Sequence, residues 1–218
     1  MKVIPAINET NFKEVKKKIK AAQDFVIDPA DEAVWIHLDV ADGKFTRNVL
    51  WKNPADLLKV KSEMPNVKIE VHLMVENPDA VLDAWLDAKV KRIIVHSESI
   101  KDIDVIKMKC VAFGVELVIA IKPDTPVEHL FKYEGDASGF LILAVNPGLA
   151  GQKFKEDQLA KIKALRQKFP NAKIEVDGGV NLETAPKIKE SGADILVSAS
   201  YIWNGKNSKE AYLDLLNI

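Results

Sequence analysis

The chain has 218 residues, 47% of them hydrophobic and 29% charged, with 31 basic against 32 acidic side chains and a net charge of −1. This near-neutral balance gives no global field for binding nucleic acid or an anionic membrane, and no stretch approaches the roughly 18 apolar residues of a membrane helix. Cys110 is the only cysteine, which excludes an intramolecular disulfide; with no secretory signal at the start, a reducing, cytoplasmic setting is expected.

Residues 3–7 are a short apolar run read as the first strand. Asn8-Glu9-Thr10-Asn11 offers caps for a helix over 12–22, whose lysines 16, 17, 18 and 20 read as a solvated face. Residues 23–32 read as a connection and 34–39 as the second strand. Pro54 opens a helix through 64, since proline is tolerated in a first turn. Strand 68–75 follows the Pro65-Asn66 turn, and Pro78 opens a helix to 88. Strand 92–96 precedes a helix over 101–113, ended by Gly114 at the expected C-cap. Then come strand 115–121, a short helix over 126–133, strand 140–145, helix 156–169, strand 173–176, helix 182–191, strand 195–198 and a last helix over 208–216. Most strands are near-continuous Val/Ile/Leu runs, as in a parallel sheet covered on its outer face. Eight such alternations over 1–218, without a linker, predict an α/β fold: a single-domain (β/α)8 TIM barrel. An open doubly wound sheet is the rival, and the Gly-rich dinucleotide fingerprint is missing after the first strand.

In such barrels chemistry sits at the C-terminal strand ends. The second strand ends in His37-Leu38-Asp39, the third in His72-Leu73-Met74 and the seventh in Asp177-Gly178-Gly179. Side chains two apart on a strand share a face, so His37 and Asp39 project together. Alone, that pair fits a packed His–Asp hydrogen bond equally well. Two imidazoles and two carboxylates from three strands, at one mouth, suit a divalent Zn, Fe, Mn or Co ion. A phosphate site is read from small residues at neighbouring ends: Asn146, Gly148, Ala150 and Gly151 after strand six, Gly178 and Gly179 after strand seven, Ala199 and Ser200 after strand eight.

The motifs His37 to Gly43, Val71 to Val75, Val145 to Phe154 and Val176 to Asn181 resemble, in order, those of the ribulose-phosphate 3-epimerase family. The resemblance implies the (β/α)8 barrel, a metal held by His37, Asp39, His72 and Asp177, and proton exchange by Asp39 and Asp177. It also implies a metal-dependent isomerase that interconverts D-ribulose 5-phosphate and D-xylulose 5-phosphate, and a cap over the site that includes Met74. Expected partners are a small sugar phosphate and further copies of the chain in a homo-oligomer, with no nucleic acid or membrane.

The chain departs from the family at several positions. Ala6 stands where the family has a substrate-contacting serine; Ala41 and Leu143 stand for methionines of the cap. Ala41 leaves space for a different substrate, for water or for another side chain. Arg47 replaces a common proline, Ala150 and Ala199 replace glycines, and the segment before strand two is longer. Ala6 and Ala41 motivate a second substrate, such as a hexulose 6-phosphate; a weakly active phosphosugar-binding barrel is the non-enzymatic alternative. His96 reads as a supporting hydrogen-bond partner, His129 as surface, Cys110 as packed against the barrel. Trp35, Trp51, Trp85 and Trp203 read as packing, with Trp203 also a candidate to close over substrate.

Overall fold

The computed structural model describes residues 1–25 and 33–218; of the expected connection over 23–32, Gln23–Phe25 form a 3₁₀ turn that extends the first helix, and 26–32 lie outside the described residues. Eight parallel strands pair in chain order and close, β1 against β8. They are β1 (Lys2–Ile7), β2 (Val34–Ala41), β3 (Val67–Met74), β4 (Arg92–His96), β5 (Glu116–Ile121), β6 (Gly139–Leu143), β7 (Lys173–Asp177) and β8 (Ile195–Ser198). The expected barrel is therefore present. β-branched and leucine side chains in continuous runs suit strands buried on both faces.

The helices are α1 (Phe12–Ala22), α2 (Leu57–Glu63), α3 (Asp79–Asp87), α4 (Ile103–Phe113), α5 (Gln158–Lys168), α6 (Ala185–Glu190), α7 (Ser200–Trp203) and α8 (Ser208–Leu216). Asn11 caps α1 by accepting from the Glu14 N–H at 3.1 Å, and Val15, Ile19 and Ala22 form its buried stripe. That spacing, four then three residues, keeps one face on the barrel. Asp102 caps α4, and Gly114 ends it at φ 63°, a left-handed conformation that glycine adopts without Cβ strain. Three expectations are corrected. Residues Val127–Tyr133 form a 3₁₀ helix, because Pro126 fixes the entry and the run is too short to propagate α geometry. The helix expected over 182–191 begins at Ala185, since Asn181 and Thr184 tie 179–184 into a turn. α7 was not expected.

The main core lies between strands and helices, with Trp85, Ile19, Leu57 and Leu82 almost fully enclosed; each such side chain contributes roughly 1.5–3 kcal/mol. The barrel interior is divided. Ile4, Ala6, Ile195 and Val197 fill one side, and Ile94, Val118, Ala120, Leu141 and Leu143 fill another. The remaining sector, from β2, β3, β4 and β7, is polar, and the candidate site stands on it.

Candidate active site

Register places the polar sector. β2 and β3 pair with Asp39 beside His72 and His37 beside Glu70; closure brings β7 across from them, with Glu175 and Asp177 two apart on one face. His72 Nδ1 lies 3.0 Å from Asp39 Oδ1 and 3.6 Å from Asp177 Oδ2. His37 Nε2 lies 3.3 Å from His72 Nδ1, 3.4 Å from Asp39 Oδ1 and 3.9 Å from Asp177 Oδ2. All four side chains are buried, and one donor atom from each lies within 4.8 Å of the others. Two imidazole nitrogens and two carboxylate oxygens, converging so closely, can hold a divalent transition metal.

A second layer supports each histidine. His37 Nδ1–H donates to Glu70 Oε1 at 2.7 Å, which leaves Nε2 facing the quartet. Glu70 Oε2 accepts from Arg92 Nη1 at 2.6 Å, Arg92 Nη1 also reaches Glu175 Oε2 at 3.4 Å, and Arg92 Nε donates to Glu116 at 2.8 Å. On the other flank, His72 Nε2 and His96 Nε2 are 2.8 Å apart, and His96 Nδ1 is 3.4 Å from Glu98 Oε2. Glu98 in turn accepts from the Lys122 N–H at 2.8 Å and from the Thr125 hydroxyl. Outer partners of this kind fix ring orientation and tautomer. His96 thus has the supporting part expected of it.

The electrostatics separate the two carboxylates. Burial disfavours a charge on Asp39, but hydrogen bonds from His37 and His72 outweigh it and hold Asp39 well below the usual carboxylate range. Burial, reinforced by the charge of Asp39, pushes Asp177 up to about 7. Burial and repulsion by Glu70 likewise push Glu175 up to about 8. Burial brings His72 down to about 4 against its bond to Asp39. His37 goes the other way: burial opposes its charge, yet Asp39, Glu175 and Glu70 raise it well above 6.5.

A narrow cleft opens over Asp39 and Asp177. Met74, Asn146, Gly148, Ala150, Gly151, Gly178, Gly179, Ala199 and Ser200 all line it, so the expected phosphate residues are brought together. Gly148, Gly151, Gly178 and Gly179 have φ of 122°, 85°, 105° and 69°. Neither Ala150 nor Ala199 is among the positive-φ residues, so alanine is unstrained at both. A Cβ on Gly178 would stand 2.5 Å from Val145 Cγ2, and one on Gly179 2.6 Å from Phe154 Cα.

Phe45 fills the space at Ala41. It packs with Ala41, Leu50 and Met74, and its ring lies 4.7 Å from the His96 ring. Lys122 Nζ sits 3.7 Å from the Phe45 centroid. The apolar cap is therefore carried partly by a loop residue. Trp203 does not close over the cleft: its indole N–H donates to the Ala6 carbonyl at 2.6 Å, and its ring packs near Phe25. Cys110 is buried and His129 exposed, as expected. Sequence reasoning missed Asn8, Phe45, Glu70, Arg92 and Glu175. The glutamates had a signal, since each lies two residues before a site residue on the same strand face.

A closed parallel barrel with a buried His₂Asp₂ set at its mouth, beside a cleft lined by small residues, defines a (β/α)8 barrel with a candidate metal site. The profile of the Ribulose-phosphate 3 epimerase family matches residues 2–203, and the chain belongs to that family. It is 33% identical to a ribulose-phosphate 3-epimerase of Methanocaldococcus jannaschii, across 100% of this chain and 93% of that one. It is 32% identical to one of Bacillus subtilis, across 99% and 98%. Among solved structures it resembles a 3-keto-L-gulonate-6-phosphate decarboxylase from Vibrio cholerae, with TM-score 0.74, 15% identity and coverage of 100% and 95%. It also resembles a 3-hexulose-6-phosphate synthase, with TM-score 0.71, 15% identity and coverage of 99% and 98%. Those two likenesses concern the fold. Among the described residues no helix is long and apolar enough to cross a membrane.

Proposed function

We propose that this chain is a metal-dependent 3-epimerase interconverting D-ribulose 5-phosphate and D-xylulose 5-phosphate. The observation that carries this reading is the pairing of Asp39 and Asp177 beside two histidines under one cleft. Epimerisation at C3 removes a proton next to a carbonyl and returns one to the opposite face, which calls for two carboxylates in opposite protonation states. Asp39 and Asp177, which both line the cleft, serve as the base and the matching acid. In the reverse direction the two exchange roles. His37, Asp39, His72 and Asp177 would hold a divalent ion of the Zn, Fe, Mn or Co type, which would supply Lewis-acid stabilisation of negative charge developing on the C2 oxygen. The small-residue loops over 146–151, 178–179 and 199–200 hold the phosphate and so set C3 between the carboxylates. Met74, Leu143 and Phe45 keep water from the reacting carbon.

The chain works as one catalytic domain. A lone, buried Cys110 fits a reducing cytoplasm. Met108, Val111 and Phe113, exposed on α4, support assembly with further copies, which sedimentation velocity checks.

Deuterium incorporation at C3 in D₂O, compared for ribulose 5-phosphate and a hexulose 6-phosphate, tests the activity. The metal-loaded protein exchanges the pentulose, and Asp177→Asn does not. Exchange with neither sugar contradicts the reading. Metal content unchanged in the double variant His37→Ala, His72→Ala refutes the ligand set.

A further inference from the structure

Asn8 follows β1 directly, on the face already set by Ile4 and Ala6, which point into the barrel. Ala6 brings no hydroxyl to the site. Two residues on, Asn8 brings an amide, and both of its hydrogens are committed. Nδ2 donates to Asp39 Oδ2 at 2.9 Å and to the Gly148 carbonyl at 2.9 Å. The two acceptors are 109 residues apart in the chain and serve different parts of the cleft.

The first bond divides the labour of Asp39. Its Oδ1 faces His72 and His37, while Oδ2 faces Asn8 and the cleft. The terminal torsion of an aspartate is broad, so without Asn8 the carboxylate plane has no anchor on its Oδ2 side among the described residues. The second bond acts on the phosphate loop. Gly148 takes φ 122°, and its carbonyl is held inward by Asn8 while the preceding Pro147 carbonyl accepts from the Thr46 hydroxyl at 2.8 Å. Thr46 fastens the loop without touching Asp39. Among the described residues, Asn8 joins both.

We propose that Asn8 is a positioning residue that couples the phosphate loop at Gly148 to the proton-transfer oxygen of Asp39, so that a phosphate seated in the loop aligns the carboxylate over the sugar. Binding energy from the remote phosphate is then spent on the orientation of Asp39, a use that raises kcat. The role rests on the 3-epimerase reading.

The test compares the unaltered protein, Asn8→Leu, Asn8→Ala and Thr46→Val. Each is metal-loaded and checked for metal content and melting temperature. C3 deuterium exchange is measured with ribulose 5-phosphate, and with unphosphorylated ribulose with and without inorganic phosphite. Phosphite stimulates exchange of unphosphorylated ribulose in the unaltered protein. In Asn8→Leu that stimulation is lost and kcat for ribulose 5-phosphate falls roughly 30- to 100-fold, with KM changed less than about threefold and metal content unchanged. Asn8→Ala gives the same pattern and serves if the leucine variant does not fold. Thr46→Val raises KM and keeps the phosphite effect. Stimulation that persists in the Asn8 variants, kcat within twofold of the unaltered protein, or a fall in kcat that tracks lost metal overturns the role. Any of these, with exchange intact in the unaltered protein, leaves the 3-epimerase reading standing. No C3 exchange in the unaltered protein overturns that reading and this role together.

Discussion

Arg92 Nη1 lies 2.6 Å from Glu70 Oε2, beneath the histidine that Glu70 orients. The guanidinium lies between two glutamates, Glu70 and Glu175, that are buried from water, and reaches the half-buried Glu116 on its outer side. Removing one member of such a group costs far more than removing all of it.

Arg92→Met should lower stability by about 3–5 kcal/mol, read by urea unfolding at neutral pH. The triple variant Arg92→Met, Glu70→Leu, Glu175→Leu should recover most of that loss. It should still bind metal about 10–100-fold more weakly, because His37 Nδ1 loses its acceptor. Full metal affinity in the triple variant would show that Glu70 does not orient His37.

Metal uptake should release protons. In the metal-free site His37 is held protonated, and Asp177 sits at about 7. Both must give up their protons to act as ligands. A raised pKa means the competing proton is fully present below the ordinary value and is lost only as pH rises through the raised one. Apparent affinity should therefore weaken as pH falls from about 8 to about 6. Calorimetric titration in buffers of differing ionisation enthalpy measures the release; a buffer-independent enthalpy would contradict it.

Glu98 should stabilise the fold on its acid side. Burial opposes its charge, but His96 and then Thr125 and the Lys122 N–H bring it from 4.5 down to about 2. A carboxylate depressed in the folded state contributes fully above its unfolded pKa and loses that contribution as pH falls through the folded one. Glu98→Gln should flatten the pH dependence of the melting temperature between 4.5 and about 2. An unchanged acid limb would count against the His96–Glu98 pairing.

Phe45→Ala should reopen the space beside Ala41 and Met74. kcat should fall roughly tenfold as water enters, and Ala41→Met placed in the same background should restore part of it. Steady-state kinetics with ribulose 5-phosphate reads both; a loss the methionine does not touch would mean Phe45 acts through His96 alone.

Gly179→Ala should raise KM for the phosphorylated sugar about tenfold or more, because φ 69° and the Phe154 backbone leave no room for a methyl. A normal KM would place the phosphate elsewhere in the cleft.

The barrel was legible because eight apolar runs alternate with amphipathic stretches, and the quartet because a period of two sets His37 beside Asp39 at a strand end. Arg92 was not legible, because its partners Glu70 and Glu175 meet it only once the sheet has closed and twisted. Phe45 lies in a loop, where no periodicity says which way a ring turns. α7 is four residues long, too short to show a helical repeat. Trp203 was ambiguous for the same reason, its direction being fixed by that turn and by the Ala6 carbonyl.

The pairing of β1 with β8 also sets a clock for the ribosome. Lys2 pairs with Ile195, and Trp203 reaches back to the Ala6 carbonyl. At roughly 5–20 residues per second, translation separates those partners by about 10–40 s. Through that interval the first strand offers a bare edge, open to neighbouring chains, until the last strand emerges to cover it.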